Sequence, residues 1–155
     1  MHDLAQQVVT NLTAKGQTLA AVESFTGGQF ASAITAIPGA SLVFCGGVIP
    51  YQTPQKVALL GLDVKELQRH GVVSSWCAKE LAAHGHTLMK ADYVVSFTGN
   101  AGPTSLENQS VGRVYLGFYS PQGVHVLTLD LKGSRADIQS SAVQIALQQL
   151  LELLQ

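Results

Sequence analysis

Residues 18–28 read Thr18-Leu19-Ala20-Ala21-Val22-Glu23-Ser24-Phe25-Thr26-Gly27-Gly28, and the chain continues Gln29-Phe30-Ala31-Ser32-Ala33-Ile34-Thr35-Ala36-Ile37. Thr18 to Val22 is short and apolar between polar neighbours, which predicts a buried strand. The run from Gln29 predicts a helix ended by Pro38-Gly39. A buried strand that passes through a glycine-bearing turn into a helix is an opening unit of an α/β fold.

The flanks extend that pattern. Leu4, Val8 and Leu12 recur at steps of four in residues 2–15, an amphipathic helix closed by Gly16. Leu42 to Tyr51 predicts a second apolar strand, with Gly46-Gly47 as a bulge or point of close approach. Thr53-Pro54 predicts an N-cap followed by Pro at the first helical position, with a short helix over 54–60 stopped by Gly61. Asp63 caps another short helix ending at His70-Gly71, and Ser74 or Ser75 starts a longer one to about Lys90. Tyr93 to Thr98 reads as a strand and opens a long polar loop. Val111 to Tyr119 and Val124 to Leu131 flank Pro121-Gln122-Gly123 as a hairpin, and Ser134 to Leu154 is a closing helix. Alternating helices and strands followed by a hairpin predict one domain over 1–155, a three-layer α/β/α sandwich on a mixed, mostly parallel sheet.

Composition narrows the function. Of 155 residues, 46% are hydrophobic and 12% charged, which excludes a disordered chain. Nine Lys+Arg against ten Asp+Glu give a net charge of −1. That balance excludes the electrostatic footprint of direct nucleic-acid or anionic-membrane binding, while leaving room for one phosphate in a small basic pocket. The start, Met1 to Val9, lacks the basic-then-apolar pattern of a signal peptide, and no apolar run approaches the roughly 20 residues of a membrane span. The expected location is the cytoplasm. Cys45 and Cys77 read as two buried thiols, with one disulfide as the alternative. His84 and His86, two apart, fall on different helix faces, so no metal site is expected.

Three segments carry candidate chemistry. In the first, Ser24 offers a hydroxyl where a strand meets a helix, and Thr26, Gly27 and Gly28 offer backbone N–H groups to an anion or an oxyanion. The plain alternative is that Ser24 or Thr26 caps the helix. In the second, Lys56 falls in a first helical turn, where the helix dipole lowers its pKa, and a neutral lysine can take a proton from serine. Tyr51 could then relay a proton or orient the amine; the alternative is a solvated lysine and a rim tyrosine. In the third, Thr98, Gly99 and Gly102 sit in a loop after a strand, where function often gathers. Arg135, at the start of the last helix, can hold a phosphate or be solvated.

Together these blocks resemble the C-terminal domain of the CinA family, associated with nicotinamide-mononucleotide amidase activity. The family pattern is A-E-S-C-T-G-G, Y-S-N-x-x-K, G-A-V-S, T-G-I-A-G-P, V-G-T-V and G-D-R-x-x-V-R. The matching stretches begin at Val22, Tyr51, Gly71, Thr98, Val111 and Gly133, in the same order. The resemblance implies hydrolysis of the carboxamide of nicotinamide mononucleotide to nicotinate mononucleotide and ammonia. It implies Ser24 as nucleophile, Lys56 and Tyr51 as its activating partners, and the 26–28 and 98–99 backbone for the oxyanion and nucleotide. No cofactor is implied, and a homo-oligomer is. The chain departs from the pattern at Phe25 (Cys in the family), at Gln52, Thr53 and Pro54, at Asn100 (Ile), at residues 104–109 in place of a glycine-rich stretch, and at Gln139 (Arg). A nucleotide-binding relative without turnover is therefore the second reading. The domain that precedes this one in longer members, linked to ADP-ribose pyrophosphatase activity, is not expected here. A role in DNA uptake, suggested by the family name alone, conflicts with the near-neutral charge.

Overall fold

The computed structural model describes residues 1–155. Its strands are β1 (Leu19–Val22), β2 (Phe44–Val48), β3 (Tyr93–Gly99), β4 (Arg113–Ser120) and β5 (Gly123–Asp130). Its helices are α1 (His2–Lys15), α2 (Gln29–Thr35), α3 (Thr53–Leu60), α4 (Val64–His70), α5 (Ser75–Met89) and α6 (Arg135–Leu153). The sheet order is β2-β1-β3-β4-β5. β1 pairs in parallel with β2 and β3, while β3–β4 and β4–β5 are antiparallel. Four of the five strands therefore point the same way, with β4 reversed.

Alternation along β1 builds the three layers. Leu19 and Ala21 join α1, α2 and α6 in one core, with Val95, Phe97 and Leu116. Ala20 and Val22 face the other way, into a smaller core with Leu60 of α3, Leu67 of α4 and Leu81 of α5. A strand buried on both faces needs no polar alternation, which is why this segment reads as a continuous apolar run.

Several boundaries differ from the sequence reading. The second strand is shorter than 42–51: Leu42 belongs to a 3-10 turn over Ala40–Leu42 and is 71% exposed. β2 is a sheet edge, so its side chains are only half covered. Cys45 is accordingly exposed rather than buried, and both cysteines are free thiols. The register skips Cys45, pairing Leu19 with Phe44 and Ala20 with Gly46, a bulge beside the glycine pair. α3 starts one residue early. Thr53 is helical, Gln52 is the cap residue without a side-chain bond, and Pro54 follows inside the first turn. Asp63, Ser74 and Ser134 do cap α4, α5 and α6, accepting from Glu66, Cys77 and Asp137 N–H groups respectively.

α5 lies close on the sheet because Gly117 lets it. A Cβ at Gly117 would collide with the Ala78 carbonyl and with Ser96 Oγ, which itself donates to that carbonyl at 2.6 Å. Gly117→Ala should therefore cost about 1–3 kcal/mol through overpacking, read as a lowered urea midpoint at unchanged slope.

Candidate active site

β1, β2 and β3 end on the same side, and the chain leaves β1 toward β2 but leaves β3 toward β4. Ligands gather at such a reversal, outside the carboxyl ends of the strands. A cavity of about 550 Å³ opens there. Ser24 follows β1, Tyr51 and Lys56 follow β2, Thr98 and Gly99 end β3, and Gly102 lies in the loop beyond it; all line it, as does Arg135 at the head of α6.

Lys56 is 2% exposed although it sits in the first turn of a short helix. Its side chain turns inward, and Nζ lies 3.1 Å from Ser24 Oγ, 2.8 Å from the Pro50 carbonyl and 3.3 Å from the Tyr51 carbonyl. A neutral amine has two N–H groups and one lone pair. The charged amine donates to all three oxygens, whereas in its neutral form the two carbonyls can take the N–H groups and leave the lone pair to the serine hydroxyl. Burial pushes the amine below its ordinary 10.5, opposed by Cys77 and Glu107. The Cys77 thiol, itself pushed up to about 11 by burial, is protonated at neutral pH and brings no charge. The Glu107 carboxylate is the remaining opposing charge. Burial, rather than the helix dipole invoked from sequence, is thus the main cause of the shift.

Tyr51 meets the amine through its backbone rather than its ring. Its carbonyl orients the amine and stands 3.5 Å from Ser24 Oγ, while the half-exposed phenol accepts a hydrogen bond from Arg135 at 2.8 Å. A second Arg135 nitrogen donates to the Gly102 carbonyl at 2.7 Å. The guanidinium thus ties the tyrosine to the loop after β3.

The N–H groups expected to hold an anion at the start of α2 are already occupied, which corrects that assignment for Gly27 and Gly28. Glu23, 1% exposed, places its carboxylate over the helix start and accepts from Gly28, Phe30 and Ala31 at 3.1, 3.2 and 2.9 Å. Gly27 N–H bonds the Ser24 carbonyl. Thr26 is fully buried with an unpartnered hydroxyl, and none of residues 26–28 lines the cavity. Backbone donors do remain nearby. The N–H groups of Phe25 and Ala101, both cavity-lining, are used by no protein acceptor.

Sequence reasoning gave Glu23 no role. The available signal was an acidic residue at the end of an apolar strand, a few residues before a helix without an N-cap side chain. Asn100 departs from the family pattern. It braces the loop, accepting from Gly102 N–H at 3.0 Å and donating to the Gln109 carbonyl at 3.2 Å. The histidines have separate partners: His84 Nδ1 meets the Leu60 carbonyl and His86 Nδ1 the Ala91 carbonyl.

Residues 1–154 match the family model for the CinA C-terminal domain. The chain belongs to that family. A Streptococcus pneumoniae protein described as competence-damage inducible is 40% identical over 144 residues, covering 92% of this chain and 34% of the relative. The chain thus spans about a third of the curated relatives it matches. Among solved structures, a CinA superfamily protein from Klebsiella pneumoniae superposes with a TM-score of 0.96 at 28% identity, covering 99% of this chain and 96% of that one. A competence/damage inducible protein from Agrobacterium tumefaciens gives 0.95 at 31% identity, covering 99% and 95%. The CinA fold, with its open mixed sheet, is therefore the fold of this chain. No helix is long and apolar enough to cross a membrane.

Proposed function

We propose that this CinA-family domain hydrolyses the carboxamide of nicotinamide mononucleotide or a close pyridine nucleotide. It does so as a homo-oligomer in the cytoplasm, without metal or cofactor. The observation that carries the reading is a buried amine, biased toward neutrality, 3.1 Å from a serine hydroxyl at a cavity. In this scheme Ser24 Oγ attacks the amide carbon while its proton passes to Lys56 Nζ. The tetrahedral oxyanion meets the free N–H groups of Phe25 and Ala101, which replace the assigned 26–28 donors. Lys56 returns the proton to the departing nitrogen, and ammonia leaves. Water then attacks the ester with Lys56 again accepting the proton; the C–Oγ bond breaks, Lys56 returns that proton to Ser24 Oγ, and the carboxylic acid product is released and ionises. Thr98, Gly99 and Gly102 form the wall against which the nucleotide rests. Arg135, the one cation besides Lys56 lining the cavity, takes the phosphate with N–H groups not engaged by Gly102 and Tyr51.

The test is ammonia release from a panel of pyridine nucleotides. Folded protein that binds a nucleotide by calorimetry but releases no ammonia would establish the non-catalytic reading instead. Tyr51→Phe removes the acceptor of one Arg135 bond and leaves the orienting carbonyl in place. It should lower kcat/KM by about tenfold or less, the value of a single hydrogen bond, with the pH profile unmoved. A loss as deep as that of Ser24→Ala would instead make the phenol part of the proton path.

A further inference from the structure

The turn that carries Ser24 has three consecutive carbonyls, and two are satisfied locally. Ser24 C=O accepts from Gly27 N–H and Thr26 C=O from Gln29 N–H. The middle one, of Phe25, is met only from α6, where Gln139 Nε2 donates to it at 2.6 Å across 114 residues of sequence. The amide of Gln139 is held the right way round, because Gln29 Nε2 donates to its Oε1 at 3.1 Å. Gln139 lies one helical turn beyond Arg135, so both reach the site from one face of α6. A backbone carbonyl left without its one partner away from water costs free energy, so loss of that partner favours a shift of the turn that restores one.

We propose that Gln139 is a positioning residue for the nucleophile. By fixing the Phe25 carbonyl it holds the Ser24–Thr26 turn so that the hydroxyl meets Lys56 and the Phe25 N–H stays at the cavity. The inference rests on Ser24 being an activated nucleophile, and not on which amide it cleaves.

Its test is the rate at which a fluorophosphonate labels Ser24, followed by mass spectrometry across pH, alongside ammonia release. Gln139→Leu and Gln139→Glu remove the donor, and Gln139→Arg retains one. Labelling should fall about ten- to a hundredfold in the first two and stay within about threefold of wild type in the third, as expected for a small misplacement of a reacting group. The pH midpoint should hold in all three, because the amine is untouched. Wild-type labelling rates in folded Gln139→Leu or Gln139→Glu would overturn the proposal. So would a Gln139→Arg as slow as they are, or a midpoint moved toward 10.5, which would mean general loosening around Lys56. Labelling of wild type without ammonia release would defeat the amidase reading and leave this one standing; no labelling at Ser24 would defeat this one.

Discussion

Replacing Ser24 by alanine or Lys56 by methionine is expected to reduce amide turnover by about 10⁴-fold or more, since removing either member of a nucleophile–base pair removes the covalent route. The two changes should not add. Ser24→Ala combined with Lys56→Met should be no slower than either alone, because the groups act as a unit. Wild-type kcat/KM should rise with pH along one limb whose midpoint lies below 10.5, as the buried amine sheds its proton. Lys56→Met should erase that limb. Stability carries the same signature. The native amine releases its proton at lower pH than the unfolded one, so the unfolded chain binds more protons between the lowered value and 10.5. Unfolding free energy should therefore rise with pH across that window, and Lys56→Met should flatten the slope. A folded Lys56→Met protein with wild-type turnover would end the proposed mechanism.

The largest effect on stability should come from Glu23. Glu23→Ala leaves three N–H groups at the start of α2 without their carboxylate, those of the cap residue Gly28, which adjoins the turn that carries Ser24, and of Phe30 and Ala31 in the first helical turn. A loss of about 3–5 kcal/mol is expected by chemical denaturation, several times that of an ordinary exposed cap. Glu23→Gln keeps one acceptor oxygen and should recover part of it. The affected turn holds the proposed nucleophile, so turnover should fall in both variants even below their melting temperatures. A Glu23→Ala protein as stable as wild type would show that water serves those N–H groups as well as the carboxylate does.

Much of the architecture was legible because it follows local rules. β1 and β3 are apolar runs flanked by turn residues, and Gly16 and Gly61 do end α1 and α3 in the left-handed conformation that glycine tolerates. The edge position of β2 was not legible. Phe44 to Val48 is as apolar as a central strand, and only the pairing order decides which strand is exposed. Ser24 at a strand-to-helix junction and Lys56 in a first helical turn were legible as candidates, yet no periodicity says that a lysine in a first turn folds inward. That follows from the Pro50 and Tyr51 carbonyls waiting for its N–H groups. Nor could local pattern show that a carboxylate already fills the anion site of α2, or that Tyr51 contributes its backbone rather than its ring. Those are facts of three-dimensional neighbourhood between segments that share no sequence signal.

The grip of α6 on the Phe25 carbonyl, across 114 residues, has a bearing on how the protein is born. A ribosome adding roughly 5–20 residues per second delivers Ser24 about 6–23 seconds before Gln139. During that interval the nascent chain carries a hydroxyl whose seat is not yet built. Under the proposed role of Gln139, full reactivity would wait for the end of translation, and a polypeptide released short of its last helix would lack the contact that seats Ser24.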